Sequence, residues 1–308
     1  MRMRKHFATG AAMAAAATMV LTACGGGSST SPSTSSSSSD SGAPKGTITA
    51  GSAYETTDYG PITTSALGIG ADWQVLEGLY RFDMSDYSVS PALAAGDPVK
   101  VSDTKYEVTL RDGAKFSDGT DVKAADVVSS YKRTTDEKSI YRQFFTFVDS
   151  VEAKDDKTVT ITLKHPFAAL KERFVNVRVV PSSMSEDELK SKPIGSGPYK
   201  FDNISATEVT AVPNEHYNGK IPAKAATLKW SVLKDDSARL AAALGNSIDI
   251  MEAVPADAAD KLKAASWTVD SKAGYGNPFM MFNTQKAPFD KPEVRRAFLK
   301  AIDKEKLV

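Results

Sequence analysis

Short strand-like and helix-like segments follow one another in irregular order over most of this 308-residue chain. Thr158–Leu163 (TVTITL) alternates most strictly, and a period of two residues is that of a half-buried strand. Residues 124–133 instead place Val127, Val128 and Tyr131 on one face, as an amphipathic helix does. Further strands are predicted at 46–51, 106–110, 175–180, 228–233, 248–250 and 279–282, and further helices at 73–80, 238–244 and from 292 onward. This mixture predicts an α/β fold whose sheet receives strands from distant parts of the chain.

The first 23 residues have the pattern of a signal peptide that is removed after export. Basic residues stand at Arg2, Arg4 and Lys5, and the apolar run at 7–21 is too short and too weakly apolar for a membrane-spanning helix. The run ends in Leu-Thr-Ala before Cys24, which resembles the lipobox of bacterial lipoproteins. This resemblance implies that Cys24 is acylated and becomes the new N-terminus. The alternative is an ordinary secretory peptide with a cysteine near its cleavage point by chance.

Residues 24–45 are predicted to form a flexible tether. The stretch GGGSSTSPSTSSSSSDSG at 25–42 contains no apolar residue, so burial cannot offset the entropy lost on ordering. A flexible linker of this length has a mean span of roughly 25 Å. The folded part therefore begins near residue 46, just clear of the lipid surface to which an acylated Cys24 would attach it.

The charge balance and the scattered reactive side chains argue against several functions. Lys and Arg together number 38, as do Asp and Glu, so the chain lacks the basic excess of nucleic-acid-binding proteins. His165 and His216 stand isolated, without metal-ligand spacing, and residues 195–197 lack the Gly-Lys-Ser/Thr of a phosphate loop. A Gly-x-Ser-x-Gly nucleophile motif is also missing. We therefore expect neither an enzyme nor a nucleic-acid-binding protein, and predict no metal and no cofactor.

Five ordered motifs resemble those of the solute-binding proteins of the peptide/nickel class of ABC importers. They are VSDTKYEVTLRDGAKFSDGTDVKAADVV at 101–128, PIGSGPY at 193–199 (with Ser for the family's Thr), NEHYNGK at 214–220, a helix-then-strand step at 238–250, and the segment at 282–304. The similarity covers residues 46–308. The order of the motifs makes the resemblance more specific than any single motif.

The resemblance implies a bilobal fold of the type II periplasmic-binding-protein kind, in which two hinged lobes enclose the solute. Residues 46–270 would form the first lobe, built on a mixed sheet with residues 91–190 as an inserted subdomain. Residues 271–308 would form the hinge strand and only the start of the second lobe. Because family members continue well beyond this point, we expect a C-terminally truncated chain.

The resemblance also implies a function. The protein would capture oligopeptides or dipeptides outside the bacterial cytoplasmic membrane and deliver them to the permease subunits of an ABC importer. It would be a monomer held by its lipid at the outer face of the membrane. A nickel complex or an oligosaccharide remains open as the solute. So does a non-enzymatic lipoprotein remnant with a structural or interaction role.

The candidate ligand-binding residues lie in two predicted loops. One loop follows the strand at 46–51, and the other precedes the strand at 279–282, near the expected crossing between lobes. Tyrosine rings and an asparagine amide there can stack on a solute or hydrogen-bond to it, and local packing is an equally good interpretation of each residue. The acidic residue that would receive a peptide's amino terminus belongs to the second lobe. The candidates are Ser52, Tyr54, Glu55 and Thr56, and Tyr275, Gly276 and Asn277.

Overall fold

The computed structural model describes residues 43–271, 279–303 and 306. The chain divides into two units, Met1–Gly42 and Ala43–Val308. Since the first unit lies outside the described residues, the signal peptide, the acylated Cys24 and most of the tether remain predictions. None of the described helices is long and apolar enough to cross a membrane.

The described part of the chain contains strands, α-helices and short 3-10 helices. The strands are β1 (Thr47–Ser52), β2 (Tyr80–Phe82), β3 (Val89–Pro91), β4 (Val99–Ser102), β5 (Lys105–Thr109), β6 (Val148–Ala153), β7 (Thr158–Leu163), β8 (Tyr199–Ile204), β9 (Glu208–Pro213), β10 (Thr227–Val232) and β11 (Ile250–Met251). The α-helices are α1 (Ala66–Val75), α2 (Ala124–Thr134), α3 (Leu170–Phe174), α4 (Glu186–Ser191), α5 (Asp236–Leu244), α6 (Ala259–Ala264) and α7 (Pro292–Ala301). The 3-10 helices are Ile140–Phe145 and Ala256–Ala258.

The larger sheet has five strands in the order β11-β1-β10-β9-β8. The strand β1 pairs in parallel with β10 on one side and with β11 on the other, so that Ala50 lies opposite both Trp230 and Ile250. The strands β8, β9 and β10 pair antiparallel. The helix α5 connects β10 to β11 and carries the chain across to the other side of β1. As predicted, this mixed sheet takes strands from distant parts of the chain.

Two large apolar clusters surround the two main sheets. One packs α1 against β8 and β9 and includes Tyr59 and Phe201. The other lies against the four-stranded sheet β4-β5-β7-β6 and includes Ile161 and Phe174. This smaller sheet falls within residues 91–190, the range predicted as an inserted subdomain. The lobe boundaries themselves remain a prediction.

Local periodicity predicted several elements with nearly correct bounds. The strand β7 covers the predicted TVTITL segment, and its Val159, Ile161 and Leu163 are all buried. The helix α2 extends one residue beyond the predicted 124–133. The helix α7 begins at Pro292, because proline suits the first helical position.

Residues 175–180 do not form the predicted strand. Their backbone amides make separate hydrogen bonds and do not pair with a neighbouring strand. The Val179 amide donates to Glu77 O (2.8 Å), and the Val180 amide donates to Ser130 Oγ (3.1 Å). The apolar character of this segment reflects burial among packed elements. A fully buried segment and a central strand have the same apolar composition, so the pattern alone could not separate them.

The helix predicted at 73–80 is wrong for residues 76–80, and α1 begins seven residues before the predicted start, at Ala66. The helix α1 ends at Val75, Leu76 is extended, and Tyr80 begins β2. The apolar residues continue past the end of the helix because Leu76, Leu79 and Tyr80 are buried. Burial of consecutive elements therefore imitated one longer amphipathic helix.

The predicted strand at 279–282 also differs from the structure. The segment 279–282 pairs with none of the described strands; Phe282 packs instead against the rings of Phe289 (5.1 Å) and Phe298 (5.5 Å). Gly245 is the C-cap of α5 with φ −84°, and Asn246 after it takes the left-handed conformation (φ 54°). Asparagine tolerates this conformation better than other non-glycine residues.

Asp235→Ala is expected to destabilise the fold by about 1 kcal/mol. Asp235 is the N-cap of α5, and its Oδ1 accepts a hydrogen bond of 2.8 Å from the Ala238 amide. Urea unfolding followed by circular dichroism measures the loss. Asp235→Asn keeps an acceptor at the cap and should lose much less, while Asp260→Ala removes an exposed helical carboxylate as a control. Equal stability of Asp235→Ala and the wild type would contradict the capping role.

Candidate functional site

The carboxyl ends of β1, β10 and β11 meet at one edge of the larger sheet. These three strands are parallel, and β1 lies between the other two. In open α/β sheets, ligands bind in the crevice outside the carboxyl ends of the strands, where the connections diverge to the two sides. The loop after β1 therefore stands at the expected place for a binding site.

A buried arginine ties this edge together. Arg239 of α5 is 1% exposed, and its guanidinium also pairs with Asp236. It donates hydrogen bonds to backbone carbonyls of the chain leaving β10 and of the chain leaving β11, so the two loops are fixed relative to each other. The acceptors are Leu233 O (2.7 Å), Lys234 O (2.9 Å), Glu252 O (3.2 Å) and Ala253 O (3.2 Å).

Glu252, directly after β11, holds the start of the loop after β1. Its Oε2 accepts hydrogen bonds from Ser52 Oγ (2.9 Å) and from the Ala53 amide (3.4 Å). Ser52 Oγ in turn accepts from the Tyr54 amide (3.2 Å). Because Ser52 is only 3% exposed and its hydroxyl is already paired, its contribution is to position the loop.

The next three candidates differ in how freely they face solvent. Tyr54 is half exposed. The Glu55 carboxylate pairs with Lys234 Nζ at 3.0 Å, and both side chains are about 60% exposed. Thr56 Oγ1 exchanges hydrogen bonds with the backbone of Asp58, which makes it part of a local turn. The structure thus brings Glu55 and Lys234 together, and the binding role of the candidates remains a prediction.

The second predicted loop, with Tyr275, Gly276 and Asn277, lies outside the described residues. Its proximity to the edge of the sheet therefore remains an expectation from the family resemblance. The structure therefore gives the geometry of the first predicted loop only, and a ligand site that includes both loops remains a prediction.

The sequence analysis did not identify a concave region that lies around Trp73 and Arg178. Two cavities, of about 200 and 150 Å³, are both lined by Trp73 and Arg178. The smaller cavity also meets the loop after β1, at Pro61 and Thr63. The available signal was a single arginine inside the apolar run FVNVRVVP, which was interpreted as part of a strand. A charge in a segment that is otherwise buried is uncommon unless it is paired or has a functional role.

A family model for "Bacterial extracellular solute-binding proteins, family 5 Middle" matches residues 88–308. Among curated relatives, the glutathione-binding protein GsiB of Pectobacterium atrosepticum is 28% identical over 242 residues, covering 75% of this chain and 47% of the relative. GsiB of Escherichia coli K12 is 27% identical over 276 residues, covering 85% and 52%. The chain thus spans about half the length of the curated relatives it matches.

Solved structures share the fold. AgaA from A. tumefaciens R10, in complex with agropinic acid, has a TM-score of 0.72 at 28% identity, covering 84% of this chain and 54% of AgaA. DppA from Helicobacter pylori, in complex with the peptide STSA, has a TM-score of 0.71 at 20% identity, covering 86% and 58%. These likenesses confirm the predicted α/β fold of the type II periplasmic-binding-protein kind.

Proposed function

Because the chain belongs to family 5 of the bacterial extracellular solute-binding proteins, we propose that it captures a small solute outside the cytoplasmic membrane and delivers it to an ABC importer. The match of the family model to residues 88–308 is the observation that carries this proposal. The protein would bind this solute without transforming it. The permease subunits would be the partners, and the protein would act as a monomer.

The proposed solute is a peptide or a small peptide-like molecule. Relatives named as glutathione-binding proteins and a structural neighbour in complex with a tetrapeptide support this class. An extended peptide can hydrogen-bond through its backbone to loops at a sheet edge while pockets take its side chains. The carboxyl edge around Tyr54 offers one such surface. In the whole protein the second lobe would complete the enclosure.

Lipid anchoring through Cys24 is part of the same proposal. A receptor that passes solute to a membrane permease benefits from a tether, and a diacylglyceryl group supplies the two chains needed for stable anchoring. Mass spectrometry of the exported protein should show acylation at Cys24, and Cys24→Ser should release the protein from the membrane. An exported product with an unmodified cysteine would contradict the anchor without affecting the binding proposal.

Isothermal titration with glutathione, agropinic acid and a panel of dipeptides to tetrapeptides tests the function. We expect at least one of these solutes to bind. Tyr54→Ala should weaken that binding about threefold to tenfold, since an aromatic contact contributes about 0.5–1.5 kcal/mol. Tyr87→Ala is the matched control, because Tyr87 is an exposed tyrosine in the turn between β2 and β3. Failure of the whole panel would contradict the proposed solute class, and equal effects of both variants would contradict the role of Tyr54.

A further inference from the structure

Arg178 is a buried cation with few partners. It is 9% exposed, and its guanidinium lies 4.7 Å from the centre of the Trp73 ring. Among the described residues, Leu76 O alone accepts a hydrogen bond from it, at 3.4 Å. A guanidinium carries five N–H donors, so most of its donors are left for another partner.

Among the described residues, another deeply buried arginine has a full set of protein partners. Arg239 donates to four backbone carbonyls and to Asp236, as described above. Arg111, largely buried as well, pairs with both oxygens of Glu77, at 2.9 and 2.8 Å. At these two positions the fold satisfies a buried guanidinium group with protein partners. Since leaving a buried charge unsatisfied is costly, Arg178 calls for a partner of another kind.

The space next to Arg178 is open and favours an anion. The larger of the two cavities that share Trp73 and Arg178 is lined by a second arginine, Arg81, and by Glu77, whose charge is already paired with Arg111. The two cavities have volumes of about 200 and 150 Å³, which suit a small charged group with a few carbons attached. A guanidinium stacked on an aromatic ring is held in one plane, so its fork is ready for a planar, two-oxygen acceptor.

The charged groups nearest Arg178 are compatible with an anion in the cavity beside it. Burial lowers the pKa of Arg178 to about 10, while Asp72 and Tyr141 act in the opposite direction, so the side chain stays cationic at neutral pH. Asp72 lines the smaller cavity, is 3% exposed, and has an Oδ1 without a hydrogen-bond partner among the described residues. Burial raises the pKa of Asp72 well above its usual range, and the positive charge of Arg178 works against that rise. Among the described residues no carboxylate forms an ion pair with Arg178.

We propose that Arg178, held against Trp73 and flanked by Asp72, binds a carboxylate group of the captured solute. This inference rests on the proposed function and assigns a chemical class to one end of the solute. The carboxylate would accept two parallel hydrogen bonds from the guanidinium, the geometry in which arginine and carboxylate pair most strongly. The rest of the solute would extend out of the cavities, which are too small to enclose a tripeptide.

A fragment experiment on the mature chain tests the site directly. The probe is glutarate, compared with the uncharged glutaramide, and the readout is the indole N–H resonance of Trp73, identified by its loss in Trp73→Phe. Glutarate should shift this resonance in a saturable way, and glutaramide should not. Arg178→Gln should weaken glutarate binding by at least about tenfold. Arg173→Gln, which removes an arginine lying 5.6 Å from the Phe144 ring, is the matched control and should bind as the wild type does.

Three results would overturn the proposal: no shift with glutarate in the wild type, as when water alone fills the cavities; an equal shift with glutaramide; or unchanged affinity in Arg178→Gln. If Arg178→Gln does not fold, Arg178→Lys replaces it. Lysine keeps the charge but cannot form the two-pronged contact, so binding should weaken severalfold, and undiminished binding contradicts the site.

Titration of the solute panel in parallel separates the proposed subsite from the proposed solute class. If a panel solute binds equally well to the wild type and to Arg178→Gln, the result contradicts the subsite alone. If glutarate binds at Arg178 but no panel solute binds, the result contradicts the proposed solute class alone.

Discussion

Gly195→Ala should destabilise the protein by about 3 kcal/mol or more, because its Cβ has no room. A Cβ on Gly195 would stand 2.0 Å from Val75 O and 2.7 Å from Leu76 Cδ2, at the end of α1. Real Cβ atoms essentially never lie within 3.0 Å of such neighbours, so the backbone itself must move.

The surrounding hydrogen bonds resist that movement. Gly195 O accepts from the Ser117 amide, and the Gly197 amide donates to Val75 O, both at 2.8 Å. A shift large enough to admit a methyl group would stretch both of these bonds and open the packing between α1 and the segment before β8. The glycine of the PIGSGPY motif is therefore a packing requirement of this crossing.

Urea unfolding measures the loss, with Gly70→Ala as the matched control. Gly70 lies inside α1, and a Cβ there would meet nothing within 4 Å. Alanine at Gly70 should leave stability unchanged or raise it by about 0.5–1 kcal/mol, since glycine is a poor helix former. A Gly195→Ala protein within about 1 kcal/mol of the wild type would show that the chain relaxes easily here.

Arg111→Met should cost about 3–5 kcal/mol at neutral pH, because it leaves Glu77 buried without its partner. The side chains of Arg111 and Glu77 are only 12% and 9% exposed. Arg111 also donates to Ala92 O (2.7 Å) and to Asn218 Oδ1 (2.8 Å), so the substitution removes several contacts at once. Lys115→Met, which breaks an exposed ion pair with Asp121, is the control and should cost less than about 1 kcal/mol.

The same variant should show a characteristic pH dependence. Burial raises the pKa of Glu77 above its usual value, and the Arg111 hydrogen bond and charge work against that rise. Without Arg111 the folded-state pKa rises further, so the folded protein takes up a proton more readily than the unfolded chain. Stability is then lost as pH rises through the folded-state pKa and regained as pH falls towards the ordinary glutamate pKa.

Urea unfolding of Arg111→Met at pH 7 and at pH 5 should therefore reveal a smaller deficit, relative to the wild type, at the lower pH. Glu77→Gln combined with Arg111→Met removes the buried charge and should recover part of the loss at pH 7. A deficit that is the same at both pH values, with no recovery in the double variant, would show that lost packing and not the unpaired carboxylate causes the effect.

Patterns written into neighbouring residues were sufficient for much of the fold. The alternation in TVTITL predicted β7, the apolar face at 127, 128 and 131 predicted α2, and the helix predicted at 238–244 lies within α5. Each of these signals lies within one element, because strand and helix periods and caps involve residues a few positions apart. The ordered motifs at 101–128 and 193–199 likewise indicated the family, which the family model confirms.

The roles of individual side chains depended on partners far away in the chain. Ser52 was a candidate ligand contact, but its hydroxyl donates a hydrogen bond to Glu252, 200 positions later in the chain. Ser52 therefore positions the loop. Arg178 was interpreted as part of a strand, and its shortage of partners became visible only when Trp73, Leu76 and the two cavities were assembled around it. Periodicity reports which side chains are buried, whereas tertiary packing decides which polar groups meet. The chain by itself therefore determined the family and the elements with a clear local period, and only the tertiary structure decided which charged groups have protein partners.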